Sequence, residues 1–346
     1  MQTINETSSI LNNHTQDIAK IIDFTSNSTC YSPFSLLHVL SILTKCANYN
    51  DDAIIELVTQ LKLNFTLILS IFRQISSESS IQLASNVFIS DIASISPDFE
   101  QFMKRLFNTA PEKLNSVDQV NKWCAKQTNG KIAEIVDSIM GVEALLVSAI
   151  HFKAAWAYEF DPKRTMTKQF NSFTSHSSVQ MMQMTRRLDY AQTPSAQIIR
   201  LPYKDSTLSA LIILPNSTSK SDFVSSLCVS NLQPVYTTSN VNFELPKFKI
   251  SSTINLVGTL KRLHVSHIFN KVNCSENLQK ELKISEIIQK TEIETNERGT
   301  EAATVSVVKM MKGASREEAK RVICDRPFYF AVCGQQGVIF VTSVVE

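Results

Sequence analysis

With 346 residues, 43% of them hydrophobic and 19% charged, and a formal net charge of +2, the chain has material for one large domain or two and is neither disordered nor strongly basic. That balance leaves no electrostatic footprint for nucleic acid. No run approaches the roughly eighteen apolar residues of a membrane span, and the opening MQTINETSSILNNHTQDIAK lacks a basic stretch followed by an apolar one, so neither a membrane partner nor a cleaved leader is expected.

In chain order, the first third reads as helical. PFSLLHVLSILTKC opens with Ser32 as a cap and Pro33 in the first turn, then carries apolar residues at helical spacing. DDAIIELVTQLKL begins with Asp51 and Asp52, where carboxylates suit the helix dipole. VNKWCAKQTNGKIAEIV reads as a helix broken at Asn129-Gly130. From there strands dominate: ALLVSAIHFKAAW, QIIRLPY, LSALIILP, VNFELPKFKI, RPFYFAV and GVIFVTSVV are rich in Val, Ile, Leu and Phe, and several are continuously apolar, as strands buried on both faces are. The class is α+β, helices early and sheets late. No repeat, low-complexity linker or long charge run divides the sequence, which predicts one unit.

Seven cysteines (Cys30, Cys46, Cys124, Cys228, Cys274, Cys324, Cys333) are odd in number, scattered and without a C-x-x-C pair, which favours reduced thiols over a disulfide framework or a zinc site. Six N-x-S/T sequons, at Asn5, Asn13, Asn27, Asn64, Asn216 and Asn273, matter only if the chain enters the secretory pathway. Seven glycines form no phosphate-cradling loop. Cys124 with His151 would suit a nucleophile and base, but no third orienting group is visible, so an enzyme is not expected. His264-x-x-His267 could set two imidazoles on one helical face, yet two ligands make no metal site, and none is expected.

The stretch NERGTEAATVSVVKMMKGASREEAKR, from Asn296 to Arg321, admits two readings. One is an ordinary strand followed by a helix, since Ser315-x-x-Glu318 fits a capping box. In the other, a strand from about 300 to 310 has one small, uncharged phase (Thr300, Ala302, Thr304, Ser306, Val308, Met310) and one phase with charged ends (Glu301 to Lys309), with Gly299 as a backbone pivot before it.

TEIETNERGTEAATVSV is similar to the hinge that precedes the exposed reactive-centre loop in the serpin family. CYSPFSLLHVL, ASNVFIS, NKWCAKQTNGKI, LLVSAIHFKAAWAYEFDPKRT, MMQM, IIRLPYKD, LIILPN, LPKFKI and RPFYFAV resemble further serpin segments in the same order, from about Ser32 to Val332. The resemblance implies a single serpin domain over 1–346, helices packed on large mixed β-sheets, with the hinge and exposed reactive-centre loop at 297–321 near the C-terminus. Its inhibitory members are suicide substrates: a protease is acylated on the loop, which then inserts as a new strand in the central sheet, carrying the protease with it. The hinge is then Glu297, Gly299, Thr300, Glu301, Ala302, Ala303 and Thr304, whose inward phase is free of charge, proline and bulk.

Counting from Glu297 puts the scissile bond after Gly313, a loop one residue shorter puts it after Lys312, and counting back from Pro327 gives Arg316. Lys312 suits an acidic primary pocket and Met311 an apolar one, so Lys312 is favoured and Arg316 is next. The expected partners are serine proteases, trypsin-like or cathepsin G-like, of this organism or another. The alternatives are a binding or chaperone-like serpin that never uses its loop covalently, and a cross-class inhibitor of cysteine proteases. No cofactor is implied, because the helix Asp51 opens is acidic to neutral. The expectation is a monomer in the cytoplasm, or outside the cell by unconventional secretion.

Two departures from the family pattern stand out. Where serpins carry a buried asparagine and histidine that tie the central strands, this chain has Ser148 and Gln289, beside the matching serines Ser32 and Ser35. The changed cluster predicts a more labile sheet. The ending FVTSVVE lacks the usual Gly-Arg step and proline, leaving the end of the last strand open.

Overall fold

The computed structural model describes residues 2–300 and 318–346, apart from 48–49, 62–67, 69–70, 73, 76–77, 93 and 205, with side chains from residue 11 onward. The chain falls into two units, each assembled from three segments: Met1–Ile22, Tyr31–His151 and Ser251–Glu292 in the first, Asp23–Cys30, Phe152–Ile250 and Ile293–Glu346 in the second.

In the first unit the helices Pro33–Cys46, Asp52–Gln60, Pro97–Phe107 and Val117–Gln127 begin at side-chain caps. Ser32 Oγ accepts from the Ser35 N–H, and the Asp51 carboxylate accepts from Ala53. Ser96 and Ser116 accept in the same way from Phe99 and Gln119. Each cap satisfies a donor that the first turn leaves without a partner, worth about 1 kcal/mol. The last of these helices stops at Gln127; Asn129 and Gly130 take φ values of 52° and 76°, and no helix resumes over 131–136.

The unit's sheet runs in the order Glu112–Lys113, Ile81–Ile89, Ala144–Phe152, Ile284–Asn296. Every residue of Ala144–Phe152 is buried, as its continuously apolar sequence predicts. The alternation of a strand sends Leu145, Val147 and Ala149 into a core with Phe88, Val120, Trp123 and Ile288, while Ser148 bonds to the helix Pro33–Cys46. Burying each of the larger apolar side chains stabilises the unit by about 1.5–3 kcal/mol.

The second unit is built on a nine-stranded sheet among the described residues. Its order is Thr29–Tyr31, Gly337–Val344, Phe328–Gly334, Ser209–Pro215, Ala196–Pro202, His176–Gln192, Thr237–Pro246, Lys320–Ile323, with Met166–Asn171 paired to His176–Gln192. The last strand runs buried to Val344, so the altered ending does not shorten it. Val345 then donates its N–H to Ser28 Oγ at 3.0 Å.

His264 and His267 do not share a helical face. His264 adopts φ 60° between the helix Val257–Arg262 and the short turn His267–Phe269. His267 instead meets Glu56, at 3.2 Å from Nδ1 to Oε2.

Candidate functional site

In the first unit, 144–151 and 284–292 pair directly as parallel neighbours, with Ser148 opposite Gln289. Over this pair the capped end of the helix Pro33–Cys46 sets Ser32 and Ser35. Gln289 Oε1 accepts the Ser32 N–H at 2.9 Å, and Gln289 Nε2 donates to the Ser32 carbonyl at 2.9 Å and to Ser35 Oγ at 3.2 Å. Ser35 Oγ lies 2.7 Å from Ser148 Oγ. The four residues named from the sequence therefore meet in one hydrogen-bonded cluster. Two others belong to it: Ser85 Oγ, 2.8 Å from Ser148 Oγ, and His38 Nδ1, 2.9 Å from Ser85 Oγ.

The hinge lies in the second unit. The strand Ile284–Asn296 ends in a two-residue turn, Glu297-Arg298, and Gly299–Thr300 doubles back on it, Thr295 facing Thr300 and Asn296 facing Gly299. On its other side Gly299–Thr300 pairs with Ala154–Ala155, so it forms a short strand between two others, antiparallel to both. Gly299 serves close approach here rather than a turn: a Cβ on it would run into the Ala154 carbonyl and sit 2.7 Å from Ala155 Cα. Thr300 is fully buried, its Oγ1 2.9 Å from the Tyr203 hydroxyl, and Tyr203 stacks on Trp156 at 4.7 Å.

Three carbonyls of the turn are taken by donors of the same unit. Trp156 Nε1 donates to Asn296 at 3.0 Å, the Phe160 N–H to Glu297 at 2.8 Å, and the Trp156 N–H to Arg298 at 2.9 Å. The Glu297 carboxylate accepts from Thr165 Oγ1 at 2.8 Å and pairs with Lys247 at 3.1 Å. Burial opposes its charge, but its own N–H, the Thr165 hydroxyl and the Lys247 ammonium together hold its pKa below the ordinary carboxylate value.

Glu301, Ala302, Ala303, Thr304, Met311, Lys312, Gly313 and Arg316, with the rest of the stretch from 301 to 317, lie outside the described residues. Of the rival chemistry, Cys124 is packed in the first unit's core, and burial pushes its thiol up to about 12 despite Lys290 nearby, which leaves it a poor nucleophile. None of the seven cysteines is in a disulfide. Among the described residues no three His, Cys, Asp or Glu side chains converge as metal ligands, and no helix is long and apolar enough to cross a membrane.

The family described as Serpin (serine protease inhibitor) matches residues 11–346. The chain belongs to the serpin family. Among curated serpins and inhibitors it is 30% identical to Serine protease inhibitor 42Dd of Drosophila melanogaster over 281 residues, 77% of this chain and 75% of that protein. It is 27% identical to human Serpin B8, over 78% of this chain and 77% of that one. Two solved structures share the fold at a TM-score of 0.88. Serpin48 of the insect Tenebrio molitor is 23% identical, covering 99% of this chain and 98% of its own. Human thyroxine-binding globulin is 22% identical, covering 99% of both. At those identities the likeness speaks for the α+β serpin fold alone.

Sequence reasoning missed His38, Ser85, Tyr203 and Thr165. Each is a single polar residue in an otherwise ordinary element, and its partner lies 47 to 132 positions away.

Proposed function

We propose that this serpin is an inhibitor that traps serine proteases as a suicide substrate. The observation that carries the reading is Thr300. It is the first residue of the small, uncharged phase, and it is buried as part of a short strand between two others, at the start of the path that Ala302, Thr304 and Ser306 would follow. Fold cannot choose between inhibitor and binding protein, since Serpin48 and thyroxine-binding globulin match it equally well. Hinge chemistry can.

Cleavage of the loop in an acyl-enzyme frees the segment after Thr300. It then enters between 144–152 and 284–296, the pair now closed through Ser148 and Gln289. About a dozen new backbone hydrogen bonds at ~1 kcal/mol net each, with burial of one face, drive the insertion. At about 3.3 Å per residue the new strand carries the protease tens of ångströms. Ser32, Ser35, Ser148 and Gln289 tie the strands until then. The bait is Lys312, with Arg316 next and Met311 and Gly313 as the remaining candidates, and the targets are trypsin-like or cathepsin G-like proteases. The protein acts as a monomer, in the cytoplasm or outside the cell after unconventional secretion.

Mixing the protein with trypsin, chymotrypsin, cathepsin G and elastase tests this. An SDS-stable complex with release of a C-terminal peptide beginning at Gly313 is expected. A peptide beginning at Glu317 would move the bait to Arg316. Cleavage by every protease with no complex would refute inhibition and favour a binding serpin.

A further inference from the structure

His38 lies in the helix Pro33–Cys46 with its ring among Phe34, Phe72 and Phe107, centroids 6.2, 4.4 and 4.3 Å away. Nδ1 faces Ser85 Oγ, and the other ring nitrogen faces the Leu106 carbonyl. A carbonyl only accepts, so that nitrogen carries the proton. Nδ1 of the neutral ring is then bare and can only accept from Ser85. Burial holds the ring neutral, with its pKa lowered to about 3 against the pull of the Leu106 bond.

From there each hydroxyl's direction is determined. Ser85 gives its proton to His38, so its oxygen accepts from Ser148 at 2.8 Å. Ser148 gives its proton to Ser85, so its oxygen accepts from Ser35 at 2.7 Å. Ser35 in turn accepts from Gln289 Nε2 at 3.2 Å. The opposite end is fixed too, because the Ser32 N–H can only donate and so turns Gln289 Oε1 toward itself and the amide nitrogen toward Ser35. The result is an unbroken chain, Gln289 to Ser35 to Ser148 to Ser85 to His38 to Leu106, with one proton per link and no donor spare. All five side chains that form it are at most 3% exposed.

The geometry points to His38 as a positioning residue that, by accepting from Ser85, sets the direction of the hydrogen-bond chain joining the two central strands and so holds them closed. Aligned hydrogen bonds in a dry interior polarise one another, and a chain with a fixed terminus cannot reverse. Parting 144–151 from 284–292 breaks the Gln289–Ser35–Ser148 links at once. Without an acceptor at residue 38, Ser85 keeps an unspent proton and the chain can run either way, which lowers the barrier to opening. The consequence for loop insertion rests on the inhibitory reading; the chain itself does not.

The test uses no protease. In the intact protein, labelled with 15N-histidine, His38 is one of six histidines, identified by the signal that His38→Asn removes. A neutral ring protonated at Nε2 at pH 6 is expected. A cation, or the Nδ1–H tautomer, would overturn the assignment. Hydrogen–deuterium exchange of the 144–151 and 284–292 amides is then compared in three proteins. His38→Phe fills the aromatic cage but cannot accept, and exchange there should rise roughly tenfold, the effect of about one lost buried hydrogen bond. His38→Asn places Oδ1 where Nδ1 stood and should stay near wild type. Equal exchange in both variants, or none above wild type, would mean that His38 acts only by packing. Should His38→Phe not fold, Ser85→Ala is expected to show the same rise, and no rise in that variant would equally leave His38 a packing role alone. A protein that passes these tests but forms no covalent protease complex would keep the network and lose only the inhibitory reading.

Discussion

Glu297 is the acid of the hinge, and its charge rests on three donors arranged against the cost of its burial: its own N–H, Thr165 and Lys247. A carboxyl whose folded-state pKa lies below its unfolded value contributes stability that is complete above the unfolded value and is lost as pH falls through the folded one. Loss should therefore begin as pH drops through the ordinary 4.5. The expected outcome is faster amide exchange at Gly299 and Thr300 over that window. Glu297→Gln, which keeps the shape and drops the charge, should show the same loosening at neutral pH. Exchange that stays flat in both cases would remove the carboxylate from the hinge's support. Glu297 could be found from sequence because it stands at a fixed place before Gly-Thr. Its partners Thr165 and Lys247 could not, since only the folded chain brings residues so far apart together.

At the scale of elements, the hinge strand is a two-residue piece, Gly299–Thr300, poised to lengthen. Lengthening requires each further residue of the inward phase to leave water without leaving a charge behind, because an unpaired buried charge costs several kcal/mol. Thr300→Arg and Ala302→Glu each introduce such a charge. Either should slow insertion until deacylation wins, so that a target protease still cuts the loop while the yield of covalent complex falls at least about tenfold, as gel densitometry of complex against cleaved product would read. An undiminished yield would contradict insertion along this phase. The elements themselves were legible where the chain states its own boundaries. Ser32-Pro33 and Asp51 mark helix starts, and ALLVSAIHF declares a strand buried on both faces. The strands His176–Gln192 and Ile284–Asn296 were not legible as such. Their half-exposed faces carry Arg, Glu, Lys and Gln between apolar residues, and only their neighbours in the sheet decide which side is covered. The cluster around Ser148 was legible in four members. His38 and Ser85 looked like ordinary polar interruptions of a helix and a strand, because nothing local tells that Nδ1 of one meets Oγ of the other.

At the scale of the whole molecule, a protein that binds thyroxine and a highly specific insect serpin share this fold to the same degree. Shape therefore does not separate an inhibitor from a binding protein; the difference lies in whether the native arrangement is the end of folding or a stage before a more stable one. The direct parallel pairing of 144–151 with 284–292 leaves a strand's worth of backbone hydrogen bonding to be gained, on the order of 10 kcal/mol. The measurement that meets this claim head-on is thermal unfolding of the intact protein and of protein cut once between residues 301 and 317, the cut confirmed by mass. A rise in midpoint of at least roughly 10 °C on cleavage is the predicted result. An unchanged or lowered midpoint would mean that the freed segment does not enter the sheet, and the suicide-substrate account would fall with it.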